Sequence, residues 1–202
     1  MLLEAASGHM HSTSPSTDSL SRCIQTFDDA LPANLCAQII EGFHAASHFH
    51  LENGRKRRDW LSGSAWTELD LGPLSDEPFR QSILDNIHHH LALYNKALGL
   101  TLPVPSTTKL SELILKRYRP GGDEGFQPHF DALGPVSNRY LVFLWYLNDV
   151  AEGGETAFVD LGVSVQPKAG RLVVFPPYWM FQHEGRPPIS GEKFLLSTYL
   201  LF

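Results

Sequence analysis

From Leu110 to the C-terminus the chain is a succession of short apolar or alternating runs cut by Gly and Pro, at about 110–118, 127–131, 139–147, 155–159, 162–166, 171–175, 181–185 and 193–201. Eight strands this short and this closely spaced predict a double-sheet jelly roll. Such a fold lays sequence-distant strands side by side at an open end. Within it, His129-Phe130-Asp131 offers an imidazole and a carboxylate at i and i+2. An extended strand points both to one side and turns Phe130 away into packing. A third ligand has to come from another strand, and His183, in Phe181-Gln182-His183-Glu184-Gly185, is the candidate. Two imidazoles and one carboxylate are the set that holds a non-haem Fe(II) on one face and leaves the other face open.

Further motifs follow in a fixed order: Gly153-Gly154-Glu155-Thr156-Ala157-Phe158, then Pro167-Lys168-Ala169-Gly170-Arg171-Leu172-Val173-Val174-Phe175, then His183 and Lys193. Lys193 lies in a run that reads as buried, and a buried lysine needs an anion. Alternation puts Lys193, Leu195, Ser197 and Tyr199 on one face, so an inward Lys193 brings Ser197 and Tyr199 into the pocket. Thr156 and Phe158 share a face in the same way and are expected to shape the site without binding metal.

This ordered set resembles the prolyl 4-hydroxylase-like branch of the 2-oxoglutarate and Fe(II)-dependent dioxygenases, strongly from about 110 to 202 and in outline from 24 to 100. The resemblance implies a double-stranded β-helix with His129, Asp131 and His183 as Fe(II) ligands. It implies that Lys193 pairs with the distal carboxylate of 2-oxoglutarate, and that Tyr118, in Arg117-Tyr118-Arg119-Pro120-Gly121-Gly122, donates to the same group. O2 is then the second cosubstrate and ascorbate an accessory reductant. The implied reaction couples oxidative decarboxylation of 2-oxoglutarate, to succinate and CO2, with hydroxylation of an unactivated C–H.

The 202 residues, 43% of them apolar, suit one globular domain able to bury roughly 70% of its unfolded surface. The expected fold class is α+β, mainly β, with residues 1–21 as a disordered tail and 22–202 as a single domain. Ser7-Gly8-His9-Met10 reads as a linker remnant, so His9 and His11 are set aside as ligands. A net charge of −6 offers no broad basic surface for nucleic acid. No apolar run approaches the ~20 residues that span a bilayer. The two cysteines, Cys23 and Cys36, read as free thiols in a reducing interior. A cytoplasmic location is expected.

Before Leu110 the pattern predicts supporting elements. Cys23 to Phe27 reads as a short strand, and Pro32 opens a helix to about Ser47 with Leu35, Ile39, Ile40 and Phe43 on its core side. A longer helix runs from about Ser75 to Leu98, closed by Gly99, with Phe79, Ile83, Ile87, Leu91, Tyr94 and Leu98 as its apolar stripe. Consecutive His88-His89-His90 fan apart by about 100° per residue on a helix, so they cannot share a metal and read as exposed or partly packed. Between the helices, Asn53-Gly54 signals a hairpin turn, and a β-finger with a basic tip is expected. Arg57, Arg58 and Trp60 on it are candidates for covering the substrate; a solvated loop is the plainer reading.

Three readings remain open at this point. Lysine rather than arginine after the distal histidine, together with the finger, favours a hydroxylase acting on proline in a protein or peptide. The same chemistry on a free amino acid or other small molecule is the second, because substrate identity resides in loops. A non-catalytic jelly-roll metal-binding module is the third.

Overall fold

The computed structural model describes residues 18–202; the expected tail, with Ser7 to His11, lies almost wholly outside them. In chain order the elements are α1 (Asp18–Ser21), β1 (Gln25–Phe27), α2 (Ala33–Ala45), β2 (Leu51–Gly54), β3 (Ala65–Asp70), α3 (Glu77–Leu98), β4 (Ile114–Tyr118), β5 (Phe126–His129), β6 (Arg139–Tyr146), β7 (Thr156–Phe158), β8 (Val163–Val165), β9 (Leu172–Phe175), β10 (His183–Gly185) and β11 (Lys193–Leu201). They form a seven-stranded sheet, β1-β9-β6-β11-β4-β3-β2, facing a four-stranded sheet, β5-β10-β7-β8, and every strand pair is antiparallel. Strands β4 to β11 are the expected eight, dealt between two sheets as a jelly roll requires.

Period-2 alternation explains the two cores. On β6, Leu141, Phe143 and Trp145 point to the helices, while Val142, Leu144 and Tyr146 point between the sheets. On β11, Phe194, Leu196 and Leu200 pack with the helix-side core that holds Phe43, Ile83, Ile87, Leu91 and Tyr94. Polar ties anchor that layer: Trp145 Nε1 donates to Asn86 Oδ1 at 3.1 Å, and Tyr94 Oη to the Cys23 carbonyl at 2.9 Å. The rigid helix-backed sheet is what presents the inner residues of β4 and β11 at fixed positions.

The helices start slightly later than the sequence predicts. Pro32 is the extended cap residue of α2, not its first helical residue. Asp76, whose side chain accepts the Phe79 N–H at 2.9 Å, caps α3, and Gly99 closes it with φ 59°. His90 is buried, with Nδ1 2.8 Å from the Asn86 carbonyl. The expected β-finger is present, with Arg55 to Arg58 at its tip, but its turn is not at Asn53-Gly54. Asn53 and Gly54 lie inside β2 and pair with Trp66 and Ala65, so the hairpin is the edge of the large sheet and its connection is the longer loop 55–64. Gly54 has φ 76°, and a Cβ there would meet the Ser64 carbonyl oxygen at 2.2 Å, so the Asn-Gly pair serves a close strand approach and not a two-residue turn. No described helix is long and apolar enough to cross a membrane.

Candidate active site

β5 ends at His129 and β10 begins at His183, and the two residues face each other across the antiparallel ladder with ring centroids 4.3 Å apart. Asp131 lies beyond the end of β5, so strand alternation is not what aims it. Its N–H and that of Ala132 both donate to the Pro177 carbonyl at 3.0 Å, and this clasp holds the carboxylate before both rings. His129 Nε2 lies 3.6 Å from Asp131 Oδ1, and His183 Nε2 3.6 Å from Oδ2. The ligand atoms of the three residues all fall within 4.8 Å of one another, the sole such His/Cys/Asp/Glu grouping among the described residues.

The second ring nitrogens decide what this grouping can hold. His129 Nδ1 is 2.8 Å from the Gln127 carbonyl and His183 Nδ1 is 3.1 Å from the Phe181 carbonyl. A carbonyl only accepts, so in the neutral rings Nδ1 carries the proton and Nε2 presents a lone pair. Burial, helped by the neighbouring His129, pulls the His183 imidazole down to about 4, so it is neutral near pH 7. Burial by itself raises the Asp131 carboxyl, but the two imidazoles and the Tyr199 hydroxyl outweigh it and hold it below the usual carboxylate range. Two lone pairs therefore face a carboxylate whose Oδ2 is buried without a hydrogen-bond partner. Such an arrangement is repulsive unless a cation stands between them, and two imidazole nitrogens with one carboxylate oxygen fit a first-row divalent metal.

Aromatic walls fix the rings. Phe126 lies 3.8 Å from His129 between ring centroids, and Phe175 meets His183 edge-on at 4.9 Å. Tyr199 Oη donates to Asp131 Oδ1 at 2.9 Å. The Arg139 guanidinium stacks 3.8 Å from the Tyr199 ring centroid and reaches the Asp131 carbonyl at 3.3 Å.

At the other end of the cavity Lys193 faces Tyr118 across the β11–β4 ladder. Lys193 is fully buried; Nζ donates to the carbonyls of Gly154 at 3.0 Å and Arg186 at 3.3 Å, and lies 4.3 Å from the Tyr118 ring centroid. Burial pulls its ammonium down to about 7, against the opposing charge of Glu155 and with help from Lys116. Burial also raises the Tyr118 phenol well above its ordinary range, so it stays protonated as a donor. Thr156 Oγ1 accepts from Tyr146 Oη at 2.6 Å. The cavity between these side chains is about 40 Å³, room for a few waters.

The structure brings His129, Asp131, His183, Lys193, Tyr118, Thr156, Ser197 and Tyr199 to one cavity. Phe158 is corrected: it packs behind His183 at 5.4 Å and against Phe175, outside the cavity lining. Arg57, Arg58 and Trp60 are exposed on loop 55–64, with Arg58 5.7 Å from the Trp60 ring centroid. That loop is nevertheless tied to β5, because Gln127 Nε2 donates to the Trp60 carbonyl and Gln127 Oε1 accepts the Gly63 N–H, each at 3.0 Å. Sequence reasoning missed Lys116, which borders the cavity, and Arg139. Lys116 was findable, since it lies two residues before inward Tyr118 on the same strand.

Residues 113–201 match the family model described as the 2OG-Fe(II) oxygenase superfamily. The chain is 38% identical over 157 residues to prolyl 4-hydroxylase subunit alpha-2 of Gallus gallus, covering 69% of this chain and 25% of that one. It thus spans about a quarter of that curated relative's length. The fold matches a crystal structure of a Pseudomonas putida prolyl-4-hydroxylase with TM-score 0.66 and 23% identity, covering 92% of this chain and 96% of that one. It also matches a prolyl hydroxylase in complex with a hypoxia inducible factor oxygen degradation domain peptide fragment from Trichoplax adhaerens, with TM-score 0.67, 16% identity, and coverage of 92% and 86%. The matched residues, which hold the His129, Asp131 and His183 cluster, place residues 113–201 in the 2OG-Fe(II) oxygenase superfamily, and over a wider span the chain is similar to prolyl 4-hydroxylases.

Proposed function

We propose that this chain hydroxylates a prolyl residue of a protein or peptide, consuming 2-oxoglutarate and O2 and releasing succinate and CO2. The observation that carries it is the pair of inward-fixed Nε2 lone pairs facing the Asp131 carboxylate, whose Oδ2 has no hydrogen-bond partner, in one cavity with a buried lysine. Fe(II) held by His129, Asp131 and His183 supplies the oxygen activation that an unactivated C–H requires.

The chain's own residues position and exclude. The carbonyls of Gln127 and Phe181 keep both imidazoles turned with Nε2 inward, and Tyr199 orients Asp131 by donating to Oδ1. Lys193 receives the distal carboxylate of 2-oxoglutarate and Tyr118 donates to the same group. The Lys193 ammonium rests on the Gly154 and Arg186 carbonyls, both neutral acceptors. Binding therefore swings the ammonium onto the carboxylate, replacing two neutral acceptors by a charged one. Val142, Leu144 and Phe175 line the interior and keep water from the reacting groups.

The same proposal takes ascorbate as the reductant that restores Fe(II) after unproductive turnover. It places the protein in the cytoplasm, a setting that suits the free thiols of Cys23 and Cys36. The test is mass spectrometry of proline-containing peptides and extract proteins incubated with the enzyme, Fe(II) and 2-oxoglutarate. A gain of one oxygen on proline that requires 2-oxoglutarate supports the proposal; 2-oxoglutarate consumption with oxygen appearing only on other residues or on small molecules contradicts it.

A further inference from the structure

Lys116 stands on β4 with Glu68 of β3 opposite on one side and Leu195 of β11 on the other, so its side chain projects toward the inner cavity beside His129, Asp131 and Lys193. Its Nζ lies 5.7 Å from the Trp66 ring centroid and 5.8 Å from that of Phe126, two rings stacked at 4.7 Å. No hydrogen bond or ion pair joins Nζ to any described residue. Its cross-strand neighbour Glu68 is already engaged, with Oε1 accepting from Asn53 Nδ2 at 2.7 Å and Oε2 from Trp66 Nε1 at 2.6 Å.

The two pocket lysines thus differ. Lys193 rests on two carbonyls, whereas Lys116 has only aromatic faces beneath it. Burial pulls the Lys116 ammonium down, with Glu68 and Asp131 as the acidic groups that oppose this and Arg139 and Arg58 as basic groups that add to it. A cation on the His129, Asp131 and His183 cluster offsets Asp131 and leaves Lys116 more short of negative charge. An apolar side chain would serve packing at this position without the desolvation penalty. 2-Oxoglutarate, with one end on Lys193 and the other on the metal, uses both of its carboxylates.

We infer that Lys116 reads a carboxylate carried by the substrate itself, so that the enzyme prefers a proline with an anionic group close to the carbon that is hydroxylated. The inference rests on the hydroxylase reading and narrows its substrate class. The carboxylate has two sources, an acidic side chain beside the proline or the terminal carboxylate of a short peptide, and the same chemistry recognises both; a preference for L-proline alone would contradict the protein-or-peptide reading and leave the carboxylate inference standing.

The test is calorimetric titration of the Zn(II)-loaded full chain, saturated with 2-oxoglutarate, with four probes: acetyl-Asp-Pro amide, acetyl-Asn-Pro amide, acetyl-Asn-Pro with a free C-terminus, and L-proline. At least one carboxylate-bearing probe should bind on the order of ten-fold tighter than the neutral acetyl-Asn-Pro amide, and which one it is identifies the source. Lys116→Met should erase that preference, Lys116→Arg should keep most of it, and 2-oxoglutarate affinity should move less than probe affinity. Equal binding of all four probes, binding of none, or a preference that survives Lys116→Met overturns the inference, as does a Lys116→Met effect confined to 2-oxoglutarate. The Zn(II) readout is independent of turnover. A wild-type protein that shows the preference but consumes no 2-oxoglutarate with Fe(II) would contradict the hydroxylase reading alone.

Discussion

Tyr199 Oη donates to Asp131 Oδ1 at 2.9 Å, while Oδ2 of the same carboxylate has no partner. One oxygen is thereby held in place and the other left for a cation. Tyr199→Phe removes only that donor, so metal affinity should fall on the order of 10- to 100-fold with the fold intact. Titration of Fe(II) or a spectroscopic stand-in such as Co(II) into both proteins measures it; equal affinities would show that the Asp131 backbone clasp alone suffices.

Lys193→Met keeps the apolar stem and deletes the charge. Loss of a charge-assisted bond of roughly 1.5 to 3 kcal/mol should raise the apparent constant for 2-oxoglutarate by about 10- to 150-fold. Thermal stability should stay level or rise, because a buried ammonium no longer has to be desolvated. Tyr118→Phe should give a smaller loss in the same direction. Steady-state kinetics with thermal melts checks both; an unchanged 2-oxoglutarate constant in Lys193→Met would remove that residue from the cosubstrate site.

The lowered Lys193 value gives a pH signature. Below about 7 the ammonium is charged in the empty site; above it the group is largely neutral, and binding a carboxylate has to take up a proton. The apparent constant for 2-oxoglutarate should be flat below about 7 and rise above it, by up to ~10-fold per pH unit. For stability the sign is that of a depressed group: the unfolded chain holds the proton between about 7 and the ordinary lysine range. The Lys193 contribution therefore grows as pH rises through that window and is lost as pH falls through about 7. A pH profile of the 2-oxoglutarate constant, absent in Lys193→Met, checks the assignment.

Loop 55–64 carries exposed Trp60 and is bonded to Gln127, two residues before His129. If it covers the substrate, Trp60→Ala, or neutralising Arg57 and Arg58, should weaken use of a peptide several-fold while substrate-free 2-oxoglutarate turnover persists. Parallel assays of peptide hydroxylation and uncoupled turnover separate the two; equal loss of both would make the loop a support for β5.

The last eight strands were legible because period-2 alternation is local: β11 begins at Lys193 and ends at Leu201 as read, and its inward residues line the cavity. That His129, Asp131 and His183 come together was legible from the ordered motifs and not from alternation, because Asp131 lies past the end of β5 and the clasp that aims it depends on Pro177, a contact no local pattern announces. Asn53-Gly54 misled because the same dipeptide suits a tight turn and a close backbone approach, and only the pairing with Trp66 and Ala65 tells them apart. Phe158 shares a face with Thr156, but β7 is only three residues long, and at its far end the ring reaches the back of His183 instead of the cavity. Lys116 escaped notice because a lysine next to Arg117 reads as exposed until the strands on both sides are known.

If His129, Asp131 and His183 form one metal site, 2-oxoglutarate turnover depends on each of them. The direct measurement is Fe(II)-dependent conversion of 2-oxoglutarate to succinate by the wild-type chain and by His183→Ala, with bound metal and thermal melting followed on the same samples. The wild type should turn over and bind one metal per chain, and His183→Ala should remain folded with both metal binding and succinate formation abolished. Succinate formation at the wild-type rate by a folded His183→Ala would contradict the account.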